Sequence, residues 1–165
     1  ISAGTLIFML HLYNIINHLG ENFNVITEIG SGYGGQALVI KKYLEVREYH
    51  CIDRDGALHL CDTYLGNFFE DGVYFHKEPF EWDSDLLISN YCLNEMNYEG
   101  IDQYADTLIK NAKYLYLAVS NFDKDKNPYN KYLLETLQDT HHINIYPENP
   151  LITKHKNYYI IGERL

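Results

Sequence analysis

The sequence predicts an α/β protein with a mainly parallel, doubly wound sheet and helices on both of its faces. Two observations predict it. Short apolar runs with strand character alternate with segments of helical spacing along the 165 residues, the pattern of successive strand–helix–strand units. The final two strand-like runs are joined by a connection too short for a crossover helix, so that pair is expected to be antiparallel. A chain of this length that is 46% hydrophobic also has enough apolar surface to offset the entropy of ordering, which excludes a disordered protein.

The elements follow in order. Residues 4–19 place Leu6, Leu10, Tyr13 and Ile16 near helical spacing, with Gly20 as the stop. Residues 24–29 read as a strand running directly into Gly30-Ser-Gly-Tyr-Gly-Gly35, and 36–45 as the helix leaving that turn. A second strand covers 48–53, a helix 55–66, a third strand 72–76 and a fourth 85–90. Ile101, Tyr104, Ala105, Leu108, Ile109 and Ala112 predict a helix over 99–113, followed by a strand at 114–120 and a polar loop at 121–128. A helix over 129–139 and strands at 142–146 and 157–162 complete the chain. Ligands of such sheets bind beyond the carboxyl ends of the strands, so attention falls on the residues after 29, 53, 76, 90 and 120.

Composition narrows the function. A net charge of −10, with scattered basic residues, argues against binding a nucleic-acid backbone, which needs clustered Lys and Arg. No apolar run reaches the length of a membrane span; the strongest, 6–12, already contains His11. No basic segment precedes that run, so it does not read as a signal peptide. Cys51, Cys61 and Cys92 have no Cys-x-x-Cys spacing and form an odd set, which reads as reduced thiols in a cytoplasmic protein. The reading is one domain, 1–165, with a leading helix at 1–20 and an α/β core at 21–165. The chain opens on Ile1 rather than Met, as would a piece of a longer polypeptide attached to other domains.

The glycine turn fits two patterns. Gly30, Gly32 and Gly35 satisfy the dinucleotide fingerprint G-x-G-x-x-G, whereas Gly30, Gly32 and Gly34, with Glu28 two positions earlier, have the spacing of enzymes that use S-adenosylmethionine (SAM). Both need glycines for positive φ and close approach of a ligand. Charge separates them: a pyrophosphate wants a helix N-terminus free of anions, while SAM carries an ammonium and a sulfonium. Glu28 should repel the first and attract the second. Asp53, 23 positions after Gly30, suits the ribose hydroxyls of either cofactor. Its structural alternative is a cap on the helix starting near Asp55.

These segments, with Asp85-Leu-Leu-Ile-Ser-Asn90 at the fourth strand, resemble the class I SAM-dependent methyltransferases. Residues 85–96, with the Glu95-Met96 pair, Tyr104 and then Asn121, look more narrowly like a family of sugar O-methyltransferases; the resemblance covers roughly residues 23–125. It implies a Rossmann-like seven-stranded sheet with one antiparallel strand, and SAM across the ends of the first, second and fourth strands. Carried over by position, Glu28, Gly30, Gly32 and Gly34 would contact the methionine half and Asp53 the ribose. The segment near Phe80 would flank the adenine, and the backbone of Asn90 or Tyr91 would border the sulfonium. The chain departs from the family in lacking a long N-terminal extension. It also lacks the Asn-Pro-Pro-Tyr of base N-methyltransferases, having Ser89-Asn-Tyr-Cys92 instead.

Methyl transfer to a hydroxyl needs an oriented acceptor and a base near the attacking oxygen. Glu95, five positions past the fourth strand, is the candidate base; the alternative is a carboxylate decorating a solvent-facing turn. Asn94 and Asn121 are candidates for binding a sugar or nucleotide-sugar acceptor, and Tyr33 and Tyr91 are the two tyrosines placed near ligand. No metal site is expected: His141 and His142 should point to opposite faces of a strand. Two other functions stand beside this one. A non-catalytic module of the same fold has no need of the three glycines, and an NAD-dependent oxidoreductase lacks a Tyr-x-x-x-Lys pair, since Tyr43, Tyr104 and Tyr132 have no Lys four residues on.

Overall fold

The structure is a computed structural model describing residues 2–123, 125–149 and 157–165. Its elements are α1 (Ala3–Leu19), β1 (Val25–Ile29), α2 (Gly35–Tyr43), β2 (Glu48–Ile52), α3 (Asp55–Leu65), β3 (Val73–His76), β4 (Ser84–Asn90), α4 (Tyr98–Thr107), β5 (Ala112–Val119), α5 (Pro128–Gln138), β6 (His141–Pro147) and β7 (Tyr158–Arg164). The strands form one seven-stranded sheet in the order β3-β2-β1-β4-β5-β7-β6. It is the mixed, mostly parallel α/β sheet expected from the alternating pattern. The chain gathers into two compact units, Ile1–Glu78 and Pro79–Leu165.

In the first unit β1, β2 and β3 are parallel, with Ile29 opposite Ile52 and Ile52 opposite His76. Their carboxyl ends are therefore level, which places Gly30 and Asp53 side by side. Burial of successive residues, Ile26 to Ile29 in β1 and Tyr49 to Ile52 in β2, shows that these parallel strands are covered on both faces. Ser2 caps α1 by accepting the Thr5 N–H at 3.1 Å, and Gln36 of α2 donates to the Phe8 carbonyl of α1 at 3.3 Å.

In the second unit β4 and β5 are parallel, and β7 runs antiparallel to both β5 and β6. The expected helix over 99–113 is shorter than its spacing suggests. α4 ends at Thr107, a 3-10 turn occupies Ile109–Asn111, and β5 begins at Ala112. The helical stripe runs on in the sequence because Leu108, Ile109 and Ala112 are all buried, in the turn and strand rather than on a helix face. His141 is buried with its Nε2 at 3.0 Å from the Ala112 carbonyl, while His142 is exposed, the opposed pair that strand geometry requires. Among the described residues no three His, Cys, Asp or Glu side chains gather as a metal ion would need, and no helix is long and apolar enough to cross a membrane.

Candidate functional site

The turn after β1 is held by backbone. Gly30 N–H donates to the Ile52 carbonyl at 2.8 Å, and Gly34 N–H to the Ser31 carbonyl at 2.9 Å. Gly30, Gly32 and Gly34 all have positive φ, at 78°, 54° and 89°, which is why glycine is needed at alternate positions. Gly32 and Gly34 differ in what surrounds them. A Cβ on Gly34 would lie 2.8 Å from Cys61 Sγ and from Leu65 Cγ, whereas one on Gly32 would meet nothing within 4 Å. Gly34 is thus needed for packing, while Gly32 opens its Cα to the space above the turn. α2 starts here with Gly34 as its N-cap, no side-chain cap and no acidic residue in its first turn.

Asp53 belongs to the same arrangement. Its Oδ2 accepts the Gly32 N–H at 2.8 Å and its Oδ1 accepts the Arg54 N–H at 2.7 Å. The carboxylate therefore buttresses the glycine turn, and Arg54, not Asp53, is the N-cap of α3. Each oxygen keeps a lone pair free for a hydroxyl donor.

Glu28 sits in an apolar setting that the sequence does not announce. It is 2% exposed and accepts a hydrogen bond from the Tyr49 hydroxyl at 2.8 Å. Desolvation pushes its pKa up to about 8, the Tyr49 bond opposing and the nearby Cys61 and Asp53 adding to the rise. Burial also pushes the Tyr49 hydroxyl well above its ordinary value. The electrostatic argument for Glu28 accordingly changes: in the free protein at neutral pH the carboxyl is mostly neutral, and it attracts a cation only as it ionises. Tyr33 stands 40% exposed beside the turn, its ring edge-on to Phe8 at 6.1 Å and to Tyr64 at 5.2 Å.

In the second unit the candidates cluster at the carboxyl ends of β4 and β5. Tyr91 (φ 57°) and Asn121 (φ 49°) are the two non-glycine residues with positive φ among the described ones, a conformation that costs energy and gathers at functional turns. Tyr91 N–H donates to the Ala118 carbonyl at 2.7 Å. Its hydroxyl donates to Glu148 Oε1 at 2.9 Å, and Asn157 Nδ2 donates to Glu148 Oε2 at 3.0 Å. Burial, and next the Glu148 carboxylate, raise the Tyr91 pKa beyond the usual phenol range. Asn94 Nδ2 donates to the Ser120 carbonyl at 3.2 Å, and its buried Oδ1 accepts no hydrogen bond. Asn130 Nδ2 reaches the Asn121 carbonyl at 3.5 Å. Glu95 is exposed on a 3-10 turn, Leu93–Glu95, that follows β4. Phe80 is half-buried with its ring 5.8 Å from Trp82, and Asn90 is the last residue of β4.

Sequence reasoning missed Tyr49, Glu148, Asn130 and Asn157. Tyr49 lies 21 positions from Glu28 and Glu148 lies 57 from Tyr91. The available signal was weak: a Tyr within the short strand Glu48-Tyr-His-Cys-Ile52, and a Glu between two prolines.

The chain has the α/β fold of solved methyltransferases. The methyltransferase domain of bacterial CtHen1 superimposes with a TM-score of 0.77 at 7% identity, over 99% of each chain. The N-methyltransferase NodS from Bradyrhizobium japonicum, solved with S-adenosyl-L-homocysteine, gives 0.75 at 10% identity, over 96% of this chain and 86% of that one. A protein from Pyrococcus horikoshii described as a candidate RNA methyltransferase gives 0.69 at 13% identity, over 96% and 83%. At these identities the similarity is one of fold. No protein-family model and no curated protein matches the chain.

Proposed function

We propose that this protein is a SAM-dependent methyltransferase acting on a hydroxyl of a small molecule, a sugar or sugar nucleotide. The observation that carries the reading is the glycine turn: an open Gly32, a backbone held by Asp53, and a buried carboxyl at Glu28, in a chain with a methyltransferase fold. The residues suit the group. Gly32 leaves room for close approach, Asp53 has acceptors for ribose hydroxyls, and a buried carboxyl beside a cationic ligand gains its counter-ion. Tyr33 and the backbone of Gly30 and Gly34 complete the methionine end; Phe80 is assigned to the adenine, and Asn90 and Tyr91 to the neighbourhood of the sulfonium.

SAM supplies a methyl group already activated by a positive sulfur. The chain's own residues then orient and deprotonate. Asn94, whose amide nitrogen is spent on Ser120, and Asn121 are assigned to the binding of the acceptor. Glu95 takes the proton of the attacking hydroxyl. Cys51, Cys61 and Cys92, present as thiols, fit a reducing, cytoplasmic setting.

The test is release of S-adenosylhomocysteine from SAM over a panel of sugars and nucleotide sugars. Glu95→Gln keeps shape but accepts no proton, so turnover should fall ~10²–10⁴-fold with cofactor affinity nearly unchanged. Full activity of Glu95→Gln would remove Glu95 from the mechanism, and no turnover on any sugar of the panel would remove the sugar acceptor.

A further inference from the structure

An aromatic surface stands apart from the residues given roles above. Tyr98 opens α4 and Tyr129 lies in the first turn of α5. Their rings are 4.7 Å apart, and Tyr132 meets Tyr98 edge-on at 4.9 Å and 83°. Tyr98 is 43% and Tyr129 40% exposed. The Tyr132 hydroxyl donates to Asp102 Oδ1, a bond that braces α5 against α4 and fixes the platform. Beside it is an open groove of about 400 Å³ lined by Tyr98, Pro128, Lys131, Tyr132 and Glu135, a volume at the lower end of small-ligand sites. α5 packs against α4 and against the Leu93–Glu95 turn that carries Asn94, and Asn130 of α5 reaches the Asn121 carbonyl, so the helix that bears Tyr129 and Tyr132 also touches the segments of Asn94 and Asn121.

The polar groups say what would sit there. Lys131, exposed and 3.7 Å from Glu135, is the one cation among the described residues lining the groove, and the Asp102 and Glu135 carboxylates beside it would repel a phosphate. The rings touch each other, so they cannot wrap a quaternary ammonium as an aromatic cage does. What remains is the exposed face of a single ring, Tyr98 or Tyr129, since the rings are inclined at 45° and 83° rather than coplanar, bordered by carboxylate acceptors (Asp102, Glu135) and the Lys131 donor. A pyranose ring is complementary: one face of C–H bonds and an equatorial rim of hydroxyls. We infer that Tyr98, Tyr129 and Tyr132 form a carbohydrate-binding platform that beds a neutral sugar ring beside the segments of Asn94 and Asn121. As a statement about the acceptor it rests on the methyltransferase reading; as a sugar-binding surface it does not.

The experiment is saturation-transfer NMR on the full chain without cofactor, with maltose, cellobiose and lactose as neutral disaccharides and uridine as a nucleoside. At least one disaccharide should receive saturation, strongest at the C–H protons of one ring face. Tyr129→Ala should lower its apparent affinity at least fivefold with melting temperature unchanged, and Tyr129→Phe should restore it. Tyr98→Ala should act likewise, its melting temperature reporting any loss of packing. No transfer to any of the three sugars, transfer to uridine alone, or sugar binding unaffected by Tyr129→Ala would overturn the platform. S-adenosylhomocysteine titrated into the same sample keeps the two readings apart, since its binding does not need the tyrosines.

Discussion

Glu28 is a buried carboxyl with a pKa near 8 in the free protein, and SAM brings positive charge to the turn above it. If binding requires the ionised form, acid should weaken binding by a calculable amount. With the free pKa at about 8, the competent fraction is about 1 in 11 at pH 7 and about 1 in 100 at pH 6. The dissociation constant for S-adenosylhomocysteine should therefore rise about ninefold from pH 7 to pH 6, equivalent to about 1.3 kcal/mol. Binding at pH 7 should release about 0.9 proton. The useful window is pH 5.5–7.5, below the titration of the ligand's own amino group at about 7.7–8.0. Isothermal titration in two buffers of different ionisation enthalpy measures both quantities. Glu28→Gln should abolish the pH slope and bind about 10–100-fold more weakly than the ionised wild type, the scale of a charge-assisted hydrogen bond. A wild-type affinity that is flat across the window, or no proton release, would refute the coupling. In the free protein the sign is reversed: the neutral carboxyl's contribution to stability is complete below about pH 4.5 and is lost as pH rises through about 8.

Other consequences are equally direct. Burial lowers the His11 pKa to about 4, so its contribution is full above about 6.5 and is lost as pH falls to about 4, roughly 3 kcal/mol in all; by urea denaturation, the stability of wild type minus that of His11→Leu should rise by about that amount from pH 4 to 7, the Glu28 slope cancelling in the difference. Gly34→Ala should destabilise by roughly 2–5 kcal/mol, combining a left-handed conformation with contact against Cys61 and Leu65. Gly32→Ala, which meets nothing, should cost only about 1–2 kcal/mol in stability yet impair cofactor binding, and comparison of melting and titration separates the two. Glu148→Ala leaves the Tyr91 hydroxyl and the Asn157 amide without their acceptor and should cost roughly 2–4 kcal/mol; Glu148→Gln should recover part of it.

The fold was legible where local pattern and burial coincide. β1, the glycine turn and α2 were readable because Val25, Ile26 and Ile29 mark a strand and because positive φ at Gly30, Gly32 and Gly34 admits little but glycine. The end of α4 was not, since Leu108, Ile109 and Ala112 satisfy a helical stripe while serving a turn and a strand. Tyr91 and Asn121 were singled out by their place after the strands and by the family resemblance, not by the backbone strain that both carry. The partners were beyond reach: nothing at position 28 tells that Tyr49 will hold its carboxyl. The meeting of Tyr98, Tyr129 and Tyr132 likewise depends on how α4 and α5 pack, not on their spacing along the chain. Burial also changes the meaning of Glu28, from a standing negative charge into a group that ionises on demand.

The central claim is that the glycine turn holds SAM. Its most direct measurement is calorimetric titration of S-adenosylhomocysteine and of NAD, separately, into wild type and Gly32→Val, with circular dichroism to verify the fold of the variant. The account predicts saturable binding of S-adenosylhomocysteine to wild type, none of NAD, and loss of that binding in a folded Gly32→Val. Binding of NAD alone, or S-adenosylhomocysteine affinity untouched by the valine, would contradict it.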